Sequence, residues 1–249
     1  MIDNKDRPQR VPALEARALT KRFGETLALD NLHLTVDAGE IVCLLGANGA
    51  GKTTTLNLFL GFLSPSSGEA LVQGQPVQAD TVAARAALGY VAEVVSLYPS
   101  LTGAENLAFF NALAGRSDLT PAARTDLLAS LDFPSGAIDR AVSGYSKGMR
   151  QKLGLAIAVA KDARAILLDE PLSGLDPKAA NDLVTVLRRL ATGGVALLLS
   201  THDIFRAKEV ATWVGIMAEG RLVDRLDASA LSASDMEQVY LTHMMERHA

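Results

Sequence analysis

The chain has 249 residues, 49% of them hydrophobic, enough to bury one large core or two modest ones. Its net charge of −4 argues against a broad nucleic-acid-binding surface, and its single cysteine excludes an internal disulfide. No run approaches the roughly eighteen apolar residues of a membrane-spanning helix, and the first ten residues lack the apolar centre of a signal peptide, so a cytoplasmic chain is expected.

Residues 13–77 read as strand-rich, with turn signals at Phe23-Gly24, at Asp37-Ala38-Gly39 and between Ser64 and Gly68. Inside this stretch the apolar run Ile41, Val42, Cys43, Leu44, Leu45 predicts a buried strand, which makes Cys43 a core residue. The run leads directly into GANGAGKT at 46–53, which fits the phosphate-loop pattern GxxxxGKT. Gly46, Gly49 and Gly51 can take positive φ without steric cost, so successive backbone N–H groups can turn inward around a β-phosphate. A helix expected from Gly51 or Lys52 through Leu60 adds the positive end of its dipole. Lys52 is then placed to reach the β- and γ-phosphates, and Thr53 to put its hydroxyl on magnesium. The nucleotide-binding candidates here are Gly46, Ala47, Asn48, Gly49, Ala50, Gly51, Lys52, Thr53 and Thr54. The glycines do not fall as the dinucleotide fingerprint GxGxxG.

From 81 to 160 the pattern becomes helical, with breaks at Pro99, Gly115, Pro121 and residues 133–136, and reads as a helical insert. Two short apolar runs follow, 165–168 and 195–199, separated by a helical stretch at 178–190, as expected of buried parallel strands. The fold class is therefore α/β with a helical subdomain. The first run ends in Asp169 and Glu170, two carboxylates at the C-terminal end of a buried strand, where α/β folds keep their ligands. Adjacent residues of an extended chain point apart, so Asp169 is assigned to magnesium and Glu170 to an attacking water as general base. Beyond Arg221 the chain reads as a polar connection followed by an amphipathic segment.

The sequence LLDEPLSGLDP at 167–177, followed by LLLSTHD at 197–203, resembles the ATPase subunit of ABC transporters, and the match covers nearly the whole chain. The resemblance implies a P-loop NTPase of the ABC ATPase type. Its RecA-like core sheet would carry an N-terminal antiparallel β subdomain and a helical subdomain at about 97–160. A single domain over 13–220 is implied, with a tail at 221–249 packing on it. By the same resemblance Ser173, Gly174, Leu175 and Asp176 form a loop at a dimer interface, with Asp176 among the nucleotide-binding positions, and His202 contacts the γ-phosphate. Phe23, in KRFGETLAL, stands where the family stacks a tyrosine on adenine; it keeps the π-face and loses the hydroxyl. The signature loop is matched by Tyr145-Ser146-Lys147-Gly148-Met149, in which Ser146 and Gly148 would bind the γ-phosphate held by the opposite subunit and Lys147 adds a positive charge. Glu93, in GYVAE, occupies the position of the family's glutamine. As a carboxylate it can bind magnesium or water, but while ionised it cannot donate a hydrogen bond.

The combination of YSKGM, of GYVAE followed by SLYPSLTGAENL, and of residues 234–241 resembles the type-two exporter branch, which includes drug, sodium, polysaccharide and metallocentre-assembly systems. It implies ATP and Mg2+ as cofactors and a separately encoded membrane permease. It also implies a second ATPase subunit, a second copy or a paralogue, and a position at the cytoplasmic face of the membrane. Two other readings stay open: a soluble ABC ATPase acting on ribosomes or DNA, and the ATPase of an importer.

Overall fold

The computed structural model describes residues 11–117 and 119–245; the first ten residues, on which the signal-peptide expectation was read, and the last four of the tail lie outside them. Among the described residues two sheets form. The first is antiparallel, in the order β2-β1-β4-β5, from Leu14–Phe23 (β1), Thr26–Val36 (β2), Ser67–Val72 (β4) and the short Gln75–Pro76 (β5). The second has the order β10-β9-β3-β8-β7-β6, with Ile41–Leu45 (β3), Leu88–Val91 (β6), Ala165–Asp169 (β7), Ala196–Thr201 (β8), Trp213–Ala218 (β9) and Arg221–Asp227 (β10). Its strands pair in parallel except for β10, which runs antiparallel to β9.

The second sheet is the middle layer, and its side chains divide with the period of two that a strand imposes. Ile41, Cys43 and Leu45 of β3, Ile166 and Leu168 of β7, and Leu197 and Leu199 of β8 face one core. It is completed by the helices Gly103–Leu113 (α3), Pro121–Ser130 (α4), Lys147–Ala160 (α5), Pro177–Thr192 (α6) and Ile204–Val210 (α7). Val42 and Leu44, Ala165 and Leu167, and Ala196 and Leu198 face the other core, against the antiparallel sheet and the helix Lys52–Phe59 (α1). Apolar residues on both faces explain why these strands read as unbroken apolar runs. Each such Leu removed from water contributes on the order of 1.5–3 kcal/mol.

Two segments differ from the sequence reading. The helical stretch expected over 81–160 contains a strand: after the short helix Thr81–Ala87 (α2), β6 pairs in parallel with β7 at the sheet edge, Leu88 opposite Ala165. Four residues are too few to display a period, and Leu88 and Val91 are buried only because β7 lies beside them. The polar connection expected after Arg221 is also a strand. In β10 Leu226 is buried, while Arg221, Arg225 and Asp227 are exposed. A register shift between Leu222 and Asp224 breaks the alternation that would have marked it. The helix that follows, Ala233–Met245 (α8), packs on α7 and buries Met236 completely. Among the described residues no helix is long and apolar enough to cross a membrane.

Candidate active site

The loop between β3 and α1 holds the first group. Gly51, the residue before the helix, has φ +102°, and a Cβ there would lie 2.8 Å from the carbonyl oxygen of Ala28. Gly49 also takes positive φ, at +83°. Gly46 does not; what it requires is space, because a Cβ would lie 2.4 Å from the carbonyl oxygen of Met217. Ala47, Asn48 and Gly49 form an exposed tip, while Ala50 is buried. No side chain caps α1, so its first turn, at Lys52, Thr53 and Thr54, presents N–H groups and the positive end of the dipole to the loop. The Lys52 ammonium is buried and folds back, donating to the carbonyl oxygens of Gly46 at 2.7 Å and Ala47 at 3.1 Å. Burial pulls its pKa down, and the nearby charges of Glu170 and Asp169 oppose that shift.

The carboxylates stand at the ends of neighbouring strands. Asp169 closes β7 opposite Ser200 of β8. The Thr53 hydroxyl of α1 lies 3.4 and 3.5 Å from the two Asp169 carboxylate oxygens. Ser200, fully buried, donates its hydroxyl to Asp169 Oδ1 and accepts the N–H of Glu170 at 3.1 Å. Glu170 turns away, with φ +47°, a left-handed conformation that costs a non-glycine residue about 1–2 kcal/mol. Its Oε1 lies 2.9 Å from Nδ1 of His202; the carboxylate side chain is 15% exposed and the imidazole 60%. The two acids therefore serve different partners, Asp169 with Thr53 and Ser200, Glu170 with His202. Glu170 and His202 open into a cleft of about 210 Å³ also lined by Ser173, Gly174, Asp203 and Arg206.

A second group gathers around the start of α5. Ser146 is the N-cap of α5, accepting the N–H of Met149 at 3.3 Å, and Tyr145 is buried with its hydroxyl donating to the carbonyl of Ala137 at 2.6 Å. A Cβ at Gly148 would stand 3.4 Å from the Ala179 Cβ. Lys147 pairs with Glu93 at 3.8 Å, and the same Glu93 oxygen accepts the Ser173 hydroxyl at 3.3 Å. Asp176 caps α6, accepting the N–H of Ala179 at 3.0 Å. Phe23 closes β1 at 48% exposure, with the Lys21 ammonium 5.0 Å from its ring centre. The structure thus brings together Lys52, Thr53, Asp169, Glu170 and His202 in one group, and Glu93, Lys147 and Ser173 in another, with Ser173 and Gly174 also lining the cleft at Glu170 and His202.

Two residues of this region escaped the sequence reading. Gln151, buried in α5, donates to the backbone carbonyls of Ala92 at 3.3 Å and Glu93 at 3.1 Å, which ties the Glu93 loop to the helix. Ser200 is the other. Its signal was available as a hydroxyl at the end of an otherwise leucine-built strand, where an unpartnered hydroxyl would be costly.

The donors that converge suit magnesium. Among the described residues no cluster of three His, Cys, Asp or Glu side chains is arranged for a metal. Magnesium does not ask for one, since it is commonly held by one or two protein oxygens together with phosphates and water. The Thr53 hydroxyl and Asp169 are such a pair, next to a helix start whose uncapped N–H groups suit an anion.

Comparison with known proteins agrees with this arrangement. A family model described as ABC transporter matches residues 29–173. The chain is 33% identical over 237 residues to the probable multidrug ABC transporter ATP-binding protein YbhF of Escherichia coli K12, covering 92% of this chain and 41% of that protein. It is 36% identical over 224 residues to the Nod factor export ATP-binding protein I of Paraburkholderia xenovorans, covering 90% and 74%. A solved structure of an ATP-binding subunit of an ABC transporter superposes with a TM-score of 0.78 at 26% identity, over 92% of this chain and 99% of that one. The chain thus spans about two fifths of the multidrug relative's length. With the phosphate loop, the paired acids and the histidine in one site, it belongs to the ABC transporter family, as an ATP-binding cassette.

Proposed function

We propose that this cassette hydrolyses ATP, with magnesium, to drive a membrane permease that works as an exporter. The observation that carries the reading is Glu170, held beside His202 at the mouth of the cleft while its neighbour Asp169 faces Thr53. The backbone N–H groups at the start of α1 and the Lys52 ammonium bind the β- and γ-phosphates, and Phe23 stacks on the adenine. Thr53 and Asp169 would hold magnesium, and Glu93, whose partners in the structure are Lys147 and Ser173, would join them as a further ligand, directly or through water, on leaving those partners. When bound, the ion neutralises charge developing on the phosphate oxygens. Glu170 takes a proton from the attacking water, and His202 contacts the γ-phosphate and orients Glu170 through their 2.9 Å contact.

In this reading the functional unit is a dimer, a second copy or a paralogue, on the cytoplasmic face of the membrane. Lys147 pairs with Glu93, whereas the phosphate loop bonds to Thr201 of β8, to Gly220 and, through Thr53, to Asp169 of β7. Such separate half-sites suit a nucleotide held between subunits, with Ser146, Lys147, Gly148 and Asp176 of one facing the phosphates bound by the other. Hydrolysis removes the contacts made to the γ-phosphate, so the closed dimer loses the differential binding that held it shut. We assign the single domain to 13–220, the helical subdomain to about 97–160 and the tail to 221–249. A permease segment would meet the exposed apolar side chains Val82, Val94, Tyr98, Phe109 and Leu113, beside a cavity of about 400 Å³ between α2, α3 and α5. The exporter direction rests on the relative named for Nod factor export.

The test is affinity purification of tagged Glu170→Gln chain from detergent-solubilised native membranes in ATP and magnesium, with mass spectrometry of what stays bound. Recovery of a polytopic membrane protein is expected. Recovery of ribosomal or DNA-associated proteins alone would replace the permease reading by that of a soluble clamp.

A further inference from the structure

The end of β8 carries a group to which neither the family resemblance nor the mechanism above gives a role. Ser200 is fully buried in a strand otherwise made of Ala, Leu and Thr, and lies opposite Asp169 in the parallel register. Its hydroxyl has two partners on successive residues: it donates to Asp169 Oδ1 and accepts the N–H of Glu170 at 3.1 Å. The contacts of Asp169 with Thr53, at 3.4 and 3.5 Å, are long for a hydroxyl donor, so Thr53 alone does not fix how that carboxylate is turned, and Ser200 is its other side-chain partner. Glu170 needs a constraint for a different reason. Its left-handed φ of +47° is a conformation that persists only where the surroundings over-determine it. Its N–H is held from two sides, by the hydroxyl of Ser200 and by the backbone carbonyl of the same residue at 3.2 Å.

We propose that Ser200 is a positioning residue for both acids: its hydroxyl aims Asp169 at Thr53 and pins the strained backbone of Glu170 so that the Glu170 carboxylate meets His202. The inference rests on the roles assigned to Asp169 and Glu170 under the proposed function. An aliphatic side chain at 200 would preserve the strand and its packing, but would leave Asp169 free to rotate and remove one of the two holds on Glu170. The effect then falls on the divalent ion and on the water-activating base, and leaves the phosphate loop alone.

The experiment uses the full chain and its Ser200→Ala, Ser200→Thr and Asp169→Asn variants. Three quantities are measured: the affinity for Mn2+ in the presence of ADP by electron paramagnetic resonance, the affinity for a fluorescent ATP analogue in EDTA, and the rate of ATP hydrolysis. Supporting groups behind metal ligands typically affect metal affinity or activity by roughly 10- to 100-fold. Ser200→Ala should therefore weaken Mn2+ binding and slow hydrolysis within that range and leave metal-free nucleotide affinity unchanged. Ser200→Thr, which keeps the hydroxyl, should restore both, and adding Ser200→Ala to Asp169→Asn should weaken Mn2+ binding no further. Wild-type Mn2+ affinity and turnover in Ser200→Ala would overturn the proposal, as would equal impairment of the Ala and Thr variants, which would make the effect one of volume. If Asp169→Asn impairs Mn2+ binding and Ser200→Ala does not, this inference alone fails. If Asp169→Asn itself binds Mn2+ as wild type does, the assignment of Asp169 fails and this inference with it.

Discussion

The N-termini of α1 and α5 meet the same physical problem, four backbone N–H groups without helical partners, in opposite ways. At α1 the N-cap is Gly51, which has no side chain to offer, and the buried Lys52 ammonium turns back onto the loop carbonyls of Gly46 and Ala47. At α5 the N-cap is Ser146, which satisfies the N–H of Met149 itself. The first terminus leaves its donors for a ligand at all times. The second is self-contained and can exchange its own hydroxyl for a phosphate oxygen. In the proposed dimer this separates permanent nucleotide binding at α1 from conditional phosphate recognition at α5. The start of α3 supplies the control: Thr102 and Glu105 close a reciprocal capping box there, with Thr102 accepting the N–H of Glu105 at 3.1 Å and Glu105 accepting that of Thr102 at 2.7 Å.

Substitutions can break this comparison at each point. The largest effect is expected from Glu170→Gln, because loss of a general base typically costs about 10²- to 10⁴-fold in rate. Steady-state phosphate release should fall by that factor while ATP-dependent dimerisation, followed by gel filtration, persists; wild-type turnover would remove Glu170 as the base. Next is Lys52→Ala. A hydrogen bond to a charged group is worth about 1.5–3 kcal/mol, so nucleotide affinity measured by calorimetry should drop roughly 10- to 100-fold. An unchanged affinity would mean that the ammonium stays folded onto the loop.

Ser146 sharpens the contrast through two variants. Ser146→Ala should lower stability by about 1 kcal/mol through loss of the cap, whereas Ser146→Asp keeps a good cap and places a negative charge where the partner's phosphate would bind. Thermal unfolding should therefore separate Ala from Asp, while ATP-driven dimerisation is lost in both. Dimerisation of the Asp variant at the wild-type level would sink the role given to Ser146.

The smallest functional effect belongs to Thr102→Ala, which should cost about 1 kcal/mol of stability and leave ATP hydrolysis unchanged. It carries a pH signature. The hydrogen bonds from the Thr102 backbone and hydroxyl hold the Glu105 carboxyl below its ordinary value. A depressed acid contributes stability above its unfolded pKa and loses it as pH falls through the folded one. The part of the difference between wild type and Thr102→Ala that comes from the hydroxyl's bond to the Glu105 carboxylate should therefore be full at neutral pH and shrink on acidification below the usual carboxylate range, while the part from the lost cap stays. A difference that holds constant across that titration would show that the Thr102 hydroxyl, as distinct from the backbone N–H that both variants keep, does not bind the ionised carboxylate.

Much of the site was legible because its chemistry is local. The phosphate loop and the acids after the apolar run of β7 act through neighbours a few residues away, and short-range spacing displays such groups; Ser146 was found only through the family resemblance, and its cap on α5 only in the structure. The strands β3, β7 and β8 were legible for a related reason: a strand buried on both faces must be apolar throughout. What the sequence left hidden depends on elements far apart in the chain. β6 exists because β7 pairs with it, and β10 because β9 does; neither has a pattern long or regular enough to stand alone. Register alone put Ser200 against Asp169, and packing alone set Gln151 against the Glu93 loop and Glu93 beside Lys147. By itself, then, the sequence determined which residues could do phosphate chemistry and which strands had to be buried, because backbone geometry and solvation act on near neighbours. Tertiary structure decided which carboxylate met which partner, because a side chain's orientation is set by the atoms that surround it.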